Sequence, residues 1–352
     1  MTKSTTPDLI RDVLDRAVRE GRVPGILTEV RRDEQHRFAT SGVADAASGL
    51  PRLHHHRFRI GSTTKTFVAT VLLRLVGEGL LGLEDRVQRW LPNVVRGNGN
   101  DGAAITVRHL LNHTSGLFDY TDDLEVLNSY RTHTPALLVE IALAHPPVFA
   151  AGTGWRYSNT NYILAGMLIE AVTGGSLHDA LHRHLIGPLG LTSTSLPHGG
   201  DPTIEGAHSR HYTTLFDPSP DAAIHDATEL DVSMFGAAGA MISTTGDLHR
   251  FFAALLGGQL LHPREQTEMM RTVPTQEWIE HTGYGLGICS VTLPTGVTVW
   301  GMGGALFGSW SYAYGTRDGR HFLVANVNGD WAHGGWQDPI GIFTDLLRAE
   351  FE

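Results

Sequence analysis

Gly61-Ser62-Thr63-Thr64-Lys65-Thr66-Phe67 sets a lysine three residues after a serine, at the head of an apolar run that reaches Val76. The chain holds 27 lysine and arginine residues in its 352, and Lys3 and Lys65 are the only lysines. An arginine keeps its proton inside a protein, whereas a desolvated lysine can lose it and become a base. From Thr63 the run Thr-Thr-Lys-Thr-Phe-Val-Ala-Thr-Val-Leu-Leu-Arg-Leu-Val has helical length and is closed by Gly77 and Gly79. That pattern predicts a helix with Ser62 at its N-terminus. Residues i and i+3 share a helix face, so the Lys65 amine can reach the Ser62 hydroxyl. The unpaired N–H groups of a first helical turn favour an anion formed there. Nucleophile, base and anion stabiliser thus fall within four residues. Read alone, the same residues equally describe a serine-capped core helix from which a lysine snorkels.

Working outward, residues 8 to 20 space Leu9, Ile10, Val13, Leu14, Ala17 and Val18 as one face of a helix, and strand-like segments follow at 25 to 31 and 37 to 44. Between 80 and 240 the pattern is helical, with helices predicted near 106 to 112, 135 to 144 and 161 to 173, joined by loops rich in Gly, Pro, His and Asp. A helix at 246 to 257 precedes strand-like runs at 284 to 292, 297 to 301, 309 to 315 and 321 to 328, and a last helix covers 337 to 350. The expected fold is therefore α+β. An antiparallel sheet flanked by helices is built from both chain ends (1–80 and 241–352), and a mainly helical lobe from 81–240. The whole of 1–352 forms a single catalytic domain with its active site in the groove between them.

Composition narrows the function classes. A net charge of −10 without a basic run argues against nucleic acid, and no apolar stretch is long enough for a membrane helix. The single Cys289 excludes an internal disulfide, and Met1-Thr-Lys-Ser-Thr-Thr-Pro lacks the apolar core of a signal peptide. The expected location is cytoplasmic, and a secreted mature chain would read the same way.

The helical middle carries Trp155-Arg156-Tyr157-Ser158-Asn159-Thr160-Asn161-Tyr162. A tyrosine hydroxyl held near a lysine ammonium has a lowered pKa and can act as general base for a serine, and an asparagine two residues on offers both a donor and an acceptor. With Leu110-Leu111-Asn112-His113-Thr114-Ser115-Gly116-Leu117 before it and Ala238-Gly239-Ala240-Met241-Ile242-Ser243-Thr244 after it, the pair Ser-x-x-Lys and Tyr-Ser-Asn resembles the serine β-lactamase and penicillin-binding-protein superfamily. The likeness is strongest to the branch of class C β-lactamases, D-alanyl-D-alanine carboxypeptidases, D-aminopeptidases and family VIII esterases, and it runs through nearly the whole chain in order. The resemblance implies Ser62 as the acylated nucleophile, Lys65 and Tyr157 as the base pair, and Asn159 as a polar clamp on the substrate. It also implies an oxyanion hole made by the backbone N–H groups of Ser62 and Ala305.

Two departures from that family shape the expected substrate. The third motif is ordinarily Lys or His, a small residue, then Gly, on a strand facing the serine. Here Gly301-Met302-Gly303-Gly304-Ala305-Leu306-Phe307-Gly308 puts Met302 where the cation belongs. Carboxypeptidases of the branch hold a substrate carboxylate with an arginine after Tyr-Gly-x-Gly, and Tyr284-Gly285-Leu286-Gly287-Ile288 leads instead to Cys289. A site bounded by Met302, Gly304, Ala305, Leu306, Phe307 and Phe235 suits an uncharged acyl donor.

The resulting expectation is a serine hydrolase or acyltransferase acting on an uncharged ester or amide of a small molecule. Water, an alcohol or an amine would be the acceptor, with no cofactor, no metal and an unassigned oligomeric state. The alternatives are a transacylase of secondary metabolism, a D-alanyl-D-alanine carboxypeptidase, D-aminopeptidase or β-lactamase, and a penicillin-binding-like protein that acylates once and stops. His178 and His182, with His184 near, have metal-ligand spacing but read as a solvated helix face, and His54-His55-His56 as a turn. No Gly-x-Ser-x-Gly elbow occurs.

Overall fold

The first helix, α1 (Thr6–Arg19), buries Ile10, Leu14 and Ala17 and packs Val13 and Val18 against the same core, whereas Leu9, read as part of that face, lies at its edge and is exposed. Residues 6–123, 132–217, 219 and 221–352 are described by the computed structural model. The N-terminal residues 1–5, part of the stretch read for a leader, lie outside them. Strands β1 (Gly25–Arg32), β2 (Gln35–Asp45) and β3 (Leu50–Pro51) follow, and the chain then enters a 3₁₀ turn at Gly61–Thr63 that leads into α2 (Thr64–Gly77). The turn that bears Ser62 is thus tighter than the α-helical start expected. Helix α2 buries every residue from Thr64 to Leu73, as befits a helix with apolar residues on all faces.

The middle of the chain supplies α3 (Val107–Leu111), α4 (Pro135–Leu143), α5 (Asn159–Thr173) and the four-residue α6 (Gly236–Gly239), and α7 (Thr245–Leu256) returns the chain to the sheet. There it forms β4 (Val273–Pro274), β5 (Thr282–Tyr284), β6 (Cys289–Thr292), β7 (Thr298–Leu306), β8 (Ser309–Gly315) and β9 (His321–Val327), before α8 (Pro339–Phe351). The nine strands make one antiparallel sheet in the order β4-β5-β6-β7-β8-β9-β1-β2-β3. Both chain ends meet where β1 pairs with β9, from Ile26 opposite Val327 to Arg32 opposite His321. One face carries α1 and α8, with Tyr312 stacked on Phe343 at 5.0 Å. The other carries α7, with Phe252 stacked on Phe322 at 5.0 Å, and α2 packs behind it through Phe67 on Phe251 at 3.7 Å.

One strand assignment changes. The run 284 to 292 is two antiparallel strands, with Tyr284 opposite Cys289, because Gly285-Leu286-Gly287-Ile288 reverses the chain with Gly287 at φ +77°. The alternating apolar pattern runs on through the reversal, so periodicity alone does not reveal it. A second detail decides where a ligand can lie. Strand β6 pairs with β7 only from Thr298 to Gly301, so among the described residues no strand covers the outer edge of Met302–Leu306.

Candidate active site

Ser62 is held from two sides. The preceding residues are tied to β8 by Ser309 Oγ donating to Arg59 O at 2.8 Å and Ser311 Oγ donating to Ile60 O at 3.1 Å. On the other flank Ile60 N donates to Met241 O at 2.9 Å. Two glycines bring the free edge of β7 against this turn. Gly61 has φ +49°, and a Cβ there would lie 2.8 Å from both N and O of Ala305. A Cβ on Gly304 would stand 1.9 Å from Ile60 O and 2.8 Å from Ser62 N. Both side chains must be hydrogen for the strand and the turn to approach this closely, an approach that an oxyanion hole made by the Ser62 and Ala305 amides would need.

The predicted side chains converge on Ser62 Oγ. Lys65 Nζ lies 3.0 Å away and Tyr157 donates its hydroxyl at 2.7 Å. Lys65 also donates to Asn159 Oδ1 at 2.8 Å and to Ala238 O, carried by α6, at 2.6 Å. Asn159 therefore serves the lysine, as the first residue of α5. Lys65 is fully buried, and burial pulls its pKa down to about 7 against the opposing pull of Asp119. A neutral amine has two N–H donors and one lone pair. Asn159 Oδ1 and Ala238 O take the donors, which leaves the lone pair for the Ser62 proton.

Tyr157 behaves opposite to expectation. Its ring is packed tilted against His113 at 4.4 Å and stacked on Trp278 at 5.7 Å, and burial pushes the phenol well above its usual value. The lysine charge that would lower it is the charge burial suppresses. The tyrosine thus keeps its proton at rest. His113 backs this arrangement. Its Nδ1 accepts from Ser158 N at 3.2 Å and lies 3.1 Å from Asn161 Nδ2, and burial holds it neutral.

Beside these groups lies a cavity of about 200 Å³ lined by Ser62, Tyr157, Met302, Gly303, Gly304 and Ala305 together with Trp278, Ile279, Trp310, Ser311, Tyr312, Tyr314, Ile340 and Phe343. None of these side chains carries a formal charge. Met302 lies against Cys289, with the sulfurs 3.5 Å apart, so both positions where a charge was sought are neutral and buried. The apolar boundary is not the one expected. Phe307 and Phe235 do not line the cavity and instead face each other at 6.3 Å, with Phe216 5.1 Å from Phe307, while Leu306 packs with Val232 and Ala240. Phe307 sits beyond the strand, in the turn between β7 and β8, which carries it past the cleft. The aromatic lining missed by the sequence reading comes from β8. Trp310, Tyr312 and Tyr314 alternate on one face opposite Ala305, Gly303 and Gly301. The missing β7 side chains expose the rings, a signal visible only once the register is known.

Among the described residues no three His, Cys, Asp or Glu side chains are grouped to hold a metal, and no helix is long and apolar enough to cross a membrane.

Comparison with known proteins agrees with this geometry. A D-stereospecific amidohydrolase from Streptomyces sp. is 42% identical, covers 97% of this chain and 98% of its own, and superposes with a TM-score of 0.88. Penicillin-binding protein 4* of Bacillus subtilis is 30% identical over 254 residues, 63% of this chain and 53% of that protein. Esterase EstB of Burkholderia gladioli is 35% identical over 193 residues, 51% of this chain and 48% of EstB. The matches to those two thus span about half of their length. The family model described as Beta-lactamase matches residues 10–334, a span that takes in Ser62, Tyr157 and the edge at Met302–Ala305 alike, and the chain belongs to that family.

Proposed function

We propose that this protein is a serine hydrolase of uncharged amides and esters that works through an acyl-enzyme on Ser62, with a bulky apolar or aromatic group of the substrate in the cavity beside it. The observation that carries the reading is the pairing of a Ser62 Oγ within hydrogen-bond reach of both Lys65 and Tyr157 with a cavity whose lining bears no charge. The likeness to a D-stereospecific amidohydrolase over nearly the full length of both chains favours an amide with a D-configured acyl part.

In this mechanism neutral Lys65 takes the Ser62 proton as Oγ attacks the substrate carbonyl, and the Ser62 and Ala305 amides hold the oxyanion. Tyr157 then gives its proton to the departing nitrogen or oxygen, which leaves a tyrosinate beside the Lys65 ammonium, whose Nζ lies 4.8 Å from the ring centroid. Water attacks the acyl-enzyme while passing a proton to the tyrosinate. Collapse returns the ammonium proton to Ser62. Every group ends in its starting protonation state, and an alcohol or amine could replace water without changing the first half.

Two expected outcomes follow. Lys65 must be neutral to act, so kcat/KM for an uncharged ester should rise with pH through one ionisation near 7 and level off above it. A midpoint near that of a free lysine would sink the base assignment. Second, mass spectrometry of protein mixed with p-nitrophenyl acetate should show an acyl adduct on Ser62 that disappears with time. Among N-acetyl-D-amino acid p-nitroanilides, phenylalanine should outrun aspartate by ~10²-fold or more, given the cost of an unpaired charge in an apolar pocket. Absence of any adduct and of turnover defeats the hydrolase reading, and equal rates defeat the substrate class.

A further inference from the structure

Asp119 is a carboxylate that the acyl-transfer scheme does not use, yet it is 6% exposed and lies one amide away from Lys65. Its Oδ1 accepts from Thr121 N at 3.1 Å, capping the short 3₁₀ turn Tyr120–Asp122. Its Oδ2 accepts from Asn159 Nδ2 at 3.1 Å, and the same Nδ2 lies 3.1 Å from Thr121 Oγ1. Both amide protons of Asn159 thus have acceptors on the 119–121 turn, and Oδ1 is left to face Lys65 at 2.8 Å. A flipped amide would set Oδ1 against a carboxylate, acceptor against acceptor, and point Nδ2 at the lysine.

The consequence reaches Ser62. With Oδ1 toward the lysine, the amine spends a donor there and keeps its lone pair for the Ser62 proton. With Nδ2 toward the lysine, the lone pair is drawn to Asn159 instead. Resting on the assignment of Ser62 and Lys65 as nucleophile and base, we infer that Asp119 is a positioning residue for acylation: it fixes the Asn159 amide so that the Lys65 lone pair is left for Ser62. Its charge also opposes the desolvation of Lys65. The other groups around the Lys65 amine are Tyr157 and Tyr162, whose ring centroids lie 4.8 and 5.6 Å from Nζ, and Cys289 and His113, all four neutral at rest through burial. Around Asp119 stand Asp122, which is paired with Arg156 at 2.8 Å, and Tyr120, which donates to Met234 O.

The test uses p-nitrophenyl acetate with the full chain and reads the acylation burst, KM and the pH midpoint. Asp119→Asn keeps the size and the Thr121 contact but turns a donor toward Asn159 Nδ2, so the amide should flip. Acylation should fall ~10²-fold or more with KM changed less than ~3-fold. The acidic limb should move to lower pH, because a carboxylate that favoured the ammonium is gone. The double variant Asp119→Asn with Asn159→Asp restores a donor–acceptor pair with an acceptor facing Lys65. It should acylate at least ~10-fold faster than Asp119→Asn, with its limb shifted upward by the nearer carboxylate. A merely structural role for Asp119 would lower the melting temperature and the rate without moving the limb.

The inference is overturned if Asp119→Asn acylates at the wild-type rate with an unmoved limb, or if the double variant is no faster than the single. Should Asp119→Asn not fold, the double variant is compared with Asn159→Asp alone, and equal rates there overturn it as well. Failure of the wild-type protein to acylate would instead defeat the function proposed above, so the two failures are separable.

Discussion

Lys65→Arg is expected to slow acylation of Ser62 by ~10⁴-fold or more, the loss of a general base together with its aligned nucleophile. The substitution keeps a cation and removes basicity, because a guanidinium does not give up its proton at any pH the fold survives. It also loses the geometry. Wild-type Nζ meets Ser62 Oγ, Asn159 Oδ1 and Ala238 O with single contacts of 3.0, 2.8 and 2.6 Å, which a planar fork cannot match. Burial that pulls Lys65 down to about 7 means that protonating this amine is unfavourable in the folded state. Below pH 7 the folded protein carries that penalty in full, and it fades as pH rises toward the value of a free lysine, since the unfolded chain binds the extra proton across that window. An arginine carries it throughout. Lys65→Arg should therefore be less stable than wild type at pH 8, while Lys65→Met, equally inactive, should be more stable at pH 6 by calorimetry. Activity above one percent of wild type in either variant would refute the base role, and a Met variant less stable than wild type would refute the burial account.

The Ser62 and Lys65 pair and the Tyr157 and Asn159 pair are legible because each is short and local, a few residues whose spacing survives whatever the rest of the chain does. The sheet is legible for a similar reason: β8 alternates Trp310, Tyr312 and Tyr314 with smaller residues, and β9 is apolar for most of its length. Features that depend on register or on a loop's path are not. Tyr312 and Tyr314 line the cavity because β7 brings Gly303 and Gly301 opposite them, and a slip of one residue would turn both rings to the other face. Trp278 reaches Tyr157 from the loop between β4 and β5, whose sequence has no periodicity to extrapolate. Phe307 follows the strand motif directly in sequence, yet the turn at Gly308, φ +69°, takes it away from the cleft. The resting proton of Tyr157 was hidden for a different reason. Proximity to a lysine predicts a lowered phenol, and only the packing of His113 and Trp278 around the ring shows that desolvation wins.

Gly304→Ala is expected to lower kcat by ~10²–10³-fold, the range seen when one oxyanion donor is lost. The single added carbon would stand 1.9 Å from Ile60 O and 2.8 Å from both Ile60 C and Ser62 N, all backbone atoms that no rotamer change can move aside. Strand β7 must then retreat from the 60–62 turn. Because β6 pairs with β7 only as far as Gly301, the segment Met302–Leu306 has no outer strand among the described residues to resist that retreat, and it moves with Ala305 on it. The Ser62 and Ala305 amides separate while Lys65 on α2, Asn159 on α5 and Tyr157, packed between His113 and Trp278, stay in place. The loss should therefore fall on the oxyanion and not on proton transfer. The pH midpoint stays near 7, KM for a neutral ester changes little, and affinity for a boronic acid, whose tetrahedral adduct mimics the intermediate, falls in step with kcat. Gly199→Ala, where a Cβ meets nothing within 4 Å, is the matched control and should leave all three readouts unchanged. If Gly304→Ala kept wild-type turnover, the close approach of β7 to Ser62 would not be what holds the oxyanion. If it lost turnover with boronate affinity intact, the damage would lie in proton transfer and the separation of the two amides would be refuted.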